Sequence, residues 1–299
     1  WLTQTIDIPA PEATIHVAGT PAEQAEAAVE LIVVNDEPGS IAALGVADAE
    51  ISAPLEKTPA ARGIDAFDPA GRRMSTHGVF YLLRVLSHLA ATRSFRAVME
   101  LVRCPDVIDT IQRLVMGEKP SLKALLEDFD RLAIEALPDT LDDAIELAPR
   151  VFSSEKRRAS AVPAALAWMN DVLDSLSGAN FAAGLTTFLA TVFEEREFRS
   201  NRPQDAVFAE IAKQITEVLD TLEGPATARF PAPLDAANKL ELLLLALDEQ
   251  VFYPDRKARD IDLQGWLELL WEDAPHLVIT GMNDGKAPEA IIGHSFLPD

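Results

Sequence analysis

Cysteine is nearly absent from this 299-residue chain: Cys104 stands alone, so no internal disulfide can form. No Cys/His cluster at zinc spacing accompanies it, which excludes a structural zinc site. A reducing compartment fits this usage, and the cytoplasm is the expected location. The histidines His16, His77, His88, His276 and His294 are scattered, with no His-x-x-x-His pair, and no metal site is expected. A glycine-x-serine-x-glycine elbow is also missing, which removes the usual signature of Ser-His-Asp hydrolases. Long apolar runs are lacking too. The richest, Leu240–Leu247, is interrupted by Glu241 and falls far short of the ~20 residues that span a bilayer. Basic residues are scarce: 26 Lys+Arg face 48 Asp+Glu, a net charge of −22. That balance argues against a whole-surface nucleic-acid binder, which needs clustered cations.

What is present is unevenly distributed. Residues 1–60 carry 10 acids and one base, 61–113 carry 5 acids and 8 bases, and 114–299 carry 33 acids and 17 bases, giving −9, +3 and −16. Every base of the middle segment is an arginine: Arg62, Arg72, Arg73, Arg84, Arg93, Arg96, Arg103 and Arg113. Arginine suits bidentate phosphate contact. These residues form either an anion-binding groove or, as charge runs more often do, the solvated face of a helix. The chain starts at Trp1 with no signal-like segment and stops at Ser295-Phe296-Leu297-Pro298-Asp299, and it reads as a piece of a longer protein.

Hydrophobic periodicity sets out the architecture. Ala13–Val17 reads as a short strand. Thr20 caps a helix with Pro21 at its first position, running to about Val34. Ser40–Val46 reads as a buried strand, Glu50–Ala61 as a helix, and Gly63–Phe67 as another extended piece, an α/β signature. Val79–Arg103 reads as one long amphipathic helix. Helices are then expected over Val107–Met116, Ser121–Leu137, Thr140–Ala148, Val162–Leu176, Asn180–Phe198, Pro203–Leu222 and Leu234–Phe252. His276–Gly281 returns to an apolar strand of the buried-sheet type. The fold class expected is α/β with an all-α insertion, in which Ser40–Val46 and Leu277–Thr280 share one parallel sheet. The boundaries read as 1–74 and 256–299 for the sheet domain and 75–255 for the helical one.

The loop after Ile279 has Gly281, Gly285 and Lys286, but only three residues separate the glycines and Ala287-Pro288 follows. A Walker loop needs four, then a Ser or Thr for magnesium, so nucleotide binding by this loop is not expected. Glu194-Glu195 and Asp142-Asp143 read as exposed helix charges, and Cys104 as a small buried hydrophobe.

Two stretches together resemble the second motor half of superfamily 1 DNA helicases, most closely the AddB-type subunit of bacterial helicase–nucleases that process double-strand breaks. The first contains Glu26-Ala27-Ala28-Val29, the strand Ser40–Val46, Asp48, Pro54-Leu55-Glu56, Ala61-Arg62-Gly63-Ile64, the helix Val79–Leu89 and Phe95-Arg96-Ala97-Val98 before Arg103-Cys104-Pro105. The second contains Gly265-Trp266-Leu267-Glu268, His276–Pro288 and Phe296-Leu297-Pro298-Asp299, similar to the motif V region. The match covers nearly half of the chain.

The resemblance implies a RecA-like parallel-sheet domain interrupted by a helical domain, in an accessory subunit acting in DNA repair and recombination. It also implies departures. Active members place an arginine after the motif IV strand, where this chain has Val46-Ala47-Asp48. Motif V carries His and Lys where this chain has Asp262-Leu263-Gln264 ahead of Gly265, Trp266, Leu267 and Glu268. A degenerate motor half with a scaffolding and DNA-guiding role is therefore expected, with no catalytic residue and no metal or cofactor in this piece. ATP and magnesium would belong to an upstream domain of the parent. The implied partners are a helicase–nuclease subunit and DNA, with no membrane, and the DNA or phosphate contact candidates are Arg62, Arg72, Arg73, Arg96, Asn283 and Lys286. Two alternatives stay open: an acidic helical scaffold that binds protein and no DNA, and an active ATP-dependent helicase once joined to an upstream Walker domain.

Overall fold

The computed structural model describes residues 15–33, 42–64, 66–114, 121–153, 160–178, 180–199, 202–224, 234–253, 256, 260–265 and 267–283. The chain divides into two compact units, one formed by 1–71 with 253–299 and the other by the continuous stretch 72–252.

The first unit is a small parallel sheet. Helix α1 (Pro21–Val33) starts where the sequence places it: the Glu23 amide donates to Thr20 Oγ1 at 3.2 Å, and the Glu23 carboxylate accepts from the Gly19 amide at 2.8 Å. Thr20 is thus the helix cap, and Glu23 reaches back one residue beyond it to the Gly19 amide. Strand β1 (Ala42–Val46) leads through a 3-10 turn (Ala49–Ile51) to α2 (Ser52–Ala61) and β2 (Ala66–Phe67). Strands β5 (Ile261–Gly265) and β6 (His276–Thr280) come from the far end of the chain. The order is β2-β5-β1-β6, all parallel, with Leu44 opposite Leu263 on one side and Val278 on the other. Thus Ser40–Val46, as far as it is described, and Leu277–Thr280 do lie in one parallel sheet. One face is packed by α1 and α2: Ala25, Ala28, Ile32 and Leu55 meet Ala42, Leu44, Leu263 and Val278.

The expected strand Ala13–Val17 is a correction. Its described part, Ile15–Val17, is irregular, and Val17 is 96% exposed. Two β-branched residues at alternate positions do not make a strand without a neighbour to pair with. Strand β5 was not anticipated, although Ile261 and Leu263 alternate as a strand should.

The second unit is helical: α3 (Gly78–Thr92), α4 (Phe95–Val102), α5 (Pro105–Leu114), α6 (Leu122–Ala136), α7 (Leu141–Phe152), α8 (Val162–Ser177), α9 (Phe181–Val192), α10 (Pro203–Leu222) and α11 (Ala236–Asp248). It also carries a two-strand ladder, β3 (Arg72–Arg73) antiparallel to β4 (Val251–Phe252). Side-chain caps start most helices: Ser94 for α4, Ser121 for α6, a Thr140/Asp143 capping box for α7, Asn180 for α9 and Asp235 for α11. Each satisfies amide donors that the first helical turn leaves open.

Three expected helices are shorter or broken. Val79–Arg103 is two helices, because Arg93 turns left-handed at φ 48° and Ser94 starts afresh. The Arg93 guanidinium there reaches Asp142 at 2.7 Å and Asn170 at 2.8 Å, tying the break to α7 and α8. Asn180–Phe198 ends at Val192; Arg196 bonds buried Asp205 at 3.2 Å and lies 4.2 Å over the Phe208 ring. Leu234–Phe252 ends at Asp248, since Val251 and Phe252 are taken by β4.

His77 caps α3: its Nδ1 accepts the Val79 amide at 3.2 Å, and Phe252 meets the ring edge-on at 5.6 Å. Accepting at Nδ1 requires that nitrogen to be unprotonated. Burial, then the Arg196 charge, lower the His77 pKa below 6.5, against an opposing pull from Asp106. A folded value below the unfolded one means that the unfolded chain binds the proton more readily, so stability is full above about pH 6.5 and falls as pH drops through the folded value. Melting temperature should therefore decline from pH 7.5 to 5.0 more steeply in the wild type than in His77→Asn, which keeps a capping oxygen and does not titrate. Parallel profiles for the two proteins would remove His77 as the cause.

Candidate functional site

In open α/β sheets ligands bind beyond the carboxyl ends of the strands. Here that edge is formed by Val46-Ala47-Asp48 after β1 and Gly281-Met282-Asn283 after β6. The two strand ends are laced together: the Ala47 amide donates to the Thr280 carbonyl at 2.9 Å, and Thr280 Oγ1 donates to the Gly45 carbonyl at 3.0 Å. The chain then turns sharply. Gly281 has φ +78°, its amide donates to Gln24 Oε1 of α1 at 3.2 Å, and a Cβ on it would lie 2.7 Å from the Asp48 amide nitrogen. Only glycine allows that approach. Asp48 is buried, and its Oδ1 accepts the Glu50 amide at 3.0 Å, which starts the 3-10 turn. Asn283 is exposed.

The edge is therefore lined by a carboxylate and amides. Among the described residues of this unit the Lys and Arg side chains are Lys57, Arg62 and Arg256; Arg62 is 3.5 Å from Glu30, and Arg256 binds Asp262 through two hydrogen bonds of 2.7 and 2.8 Å. A buried Asp48 carboxylate repels a phosphate, and no described cation offsets it there. Lys286 and Trp266 lie outside the described residues. Gly265 closes β5, its amide donating to the Glu268 carboxylate at 3.1 Å, and Leu267 is exposed.

The arginine-rich segment is locally compensated. Besides Arg93, Arg96 sits 3.3 Å from Glu100, and Arg103 lies 3.7 Å from Asp130. Arg113 donates to the Thr191 carbonyl at 2.6 Å, and Arg84 stacks 5.1 Å over the Tyr81 ring. Arg72 and Arg73 form β3, with Arg73 exposed. Surface pairs of this kind contribute little to stability, typically under about 1 kcal/mol. They do lower the net positive field that a phosphate would meet.

No catalytic constellation emerges among the described residues. No group of three or more His, Cys, Asp or Glu side chains there could hold a metal, and no helix there is long and apolar enough to cross a membrane. Cys104 is buried, and burial followed by the Asp106 charge pushes its thiol up to about 11, so the nucleophilic thiolate is scarce at neutral pH. Asp142 pairs with Arg93, and the hydrogen bonds of Asp143 to Thr140 lower its pKa below the usual carboxylate value.

No protein-family model matches this chain, and no curated protein matches it.

β6 was expected to be buried on both faces, yet only Val278 and Thr280 are; Leu277 and Ile279 are 44% and 45% exposed. Among the described residues, the 3-10 turn Glu268–Trp271 crosses their face, its Leu269 resting on Gly45, where an added Cβ would meet Leu269 Cδ1. The alternation of apolar and polar residues that signals a half-exposed strand is absent from His276-Leu277-Val278-Ile279-Thr280, so nothing in the sequence marks this face as open.

Proposed function

We propose that this chain is a degenerate second motor half of a superfamily 1 helicase, of the AddB-like kind, that serves as a scaffold and DNA guide within a double-strand-break repair helicase–nuclease. The observation that supports this reading best is the pairing of β1 with β6, parallel and in register from Ala42–His276 to Val46–Thr280, with a continuous helical unit encoded between them. A RecA-like sheet interrupted by a helical domain requires that pairing. The carboxyl edge, with Asp48 where active members carry arginine, supports a half that does not hydrolyse nucleotide.

Association with the large subunit of an ATP-dependent helicase–nuclease from the same genome tests the reading. A stable one-to-one complex in size exclusion is expected, and failure to associate counts against it. DNA contact is tested separately, by anisotropy of a labelled 20-nucleotide oligo-dT. Weak binding at 20 mM salt that disappears by 200 mM is expected, because a few phosphate contacts release few counterions and an acidic chain opposes them. No binding at low salt removes the DNA-guiding role and leaves the second reading, a scaffold that contacts protein alone. The local compensation of Arg93, Arg96, Arg103 and Arg113 favours that second reading.

A further inference from the structure

We infer that the exposed apolar side of β6, with the turn beside it, is a docking surface for a basic amphipathic helix of a partner protein. This goes beyond the helicase reading and does not depend on it. Parallel sheets are nearly always covered on both faces, usually by helices. Among the described residues α1 and α2 cover one face; the other is closed at β1, where Ala43 is 3% exposed and Gly45 lies under Leu269, and presents Leu277 and Ile279 of β6 and, on the turn that crosses it, Leu267, Leu270 and Trp271. Leu270 and Trp271 are 76% and 80% exposed, while Leu269 between Glu268 and Leu270 turns inward onto Gly45. An exposed apolar cluster that includes a large aromatic has the composition of an interface rather than of a solvated surface.

Charge selects the occupant. Of the acids between Asp260 and Asn283, Asp260 is buried and Asp262 is already paired with Arg256, which leaves three, Glu268, Glu272 and Asp273. Glu268, Glu272 and Asp273 lie on or beside the turn that carries Trp271. Two of them are fixed: Glu268 accepts the Gly265 amide, while Glu272 accepts from Gln264 Nε2 and from the Ala274 amide. The apolar face thus has a negative rim held in place. A helix with one apolar stripe and flanking Lys/Arg matches both features. A second copy would bring the same acidic rim and another charge of −22, and a nucleic acid would bring phosphates to the same carboxylates.

The probe is a labelled 18-residue amphipathic helix of Leu and Lys, compared with its Leu/Glu counterpart by anisotropy on the full chain. The Leu/Lys peptide should bind and the Leu/Glu peptide should not. Trp271→Ser and Leu270→Ser, both at exposed positions that leave the core intact, should each weaken binding at least about tenfold, as loss of a central apolar anchor does. Asp273→Lys should weaken it and flatten its salt dependence. Ile134→Ser, an equally exposed apolar position of the helical unit, should leave it unchanged. Four results would overturn the inference: equal binding by Trp271→Ser and wild type, equal binding of the two peptides, self-association abolished by Trp271→Ser, or displacement of the peptide by oligo-dT.

Discussion

Gly281→Ala should destabilise the sheet unit by about 2–4 kcal/mol, the sum of a left-handed backbone carrying a Cβ and a backbone clash. Gly281 sits at φ +78°, and its Cβ would meet the Asp48 amide nitrogen at 2.7 Å and Asp48 Cβ at 2.9 Å. Neither atom is the end of a flexible side chain, so relief requires β1 and β6 to part at their carboxyl ends. Gly63 provides the control. It has φ +74° with nothing within 4 Å of an added Cβ, so Gly63→Ala should cost only the conformational share, about 1 kcal/mol. Amide exchange of β1 and β6, read in native conditions, measures both variants on the unit concerned. Equal losses would mean that the approach of Gly281 to Asp48 is not a tight one.

Phe129→Ala should destabilise the helical unit by about 3–5 kcal/mol. Phe129 is fully buried and, with Leu125 and Leu132, is one of three buried residues of α6. Truncation leaves a cavity that helices anchored elsewhere cannot close. The same helix supplies the contrast. Leu137 ends α6 in a left-handed conformation, φ 48°, and is 77% exposed. Leu137→Gly should therefore be neutral or stabilising by up to about 1 kcal/mol, since glycine is the preferred residue there. Urea unfolding followed by far-ultraviolet circular dichroism, which the helices dominate, gives both numbers. A shift of midpoint without a change of slope identifies a loss of native packing.

The elements legible in the sequence were those written in local chemistry. Thr20-Pro21-x-Glu23 announces a capped helix, Pro203 begins α10 where it is expected, and Leu222 ends it there. The β1 and β6 strands show as short apolar runs. What could not be read depends on contacts distant in sequence. The break at Arg93 leaves a trace, since the spacing Leu83, Leu86, Leu89 does not continue through Thr92 and Arg93. Its cause, however, lies in Asp142 and Asn170, dozens of residues away. The early end of α9 rests likewise on Asp205 and Phe208. At the candidate site, Asp48 and Gly281 could each be noticed singly, while their contact joins opposite ends of the chain. The exposed face of β6 is invisible because an apolar strand looks the same whether one side or two are covered.

The sheet also dictates an order of events during synthesis. The Thr280 hydroxyl bonds the Gly45 carbonyl across 235 residues. At translation speeds of about 5–20 residues per second, β1 waits roughly 10–50 s for its neighbours on both sides. Over that interval Ala42, Leu44 and the apolar side of α1 have only each other and α2 to pack against, while the helical unit, contiguous in sequence, can complete its own core. The nascent chain then holds a complete helical unit while its sheet unit still waits for β5 and β6.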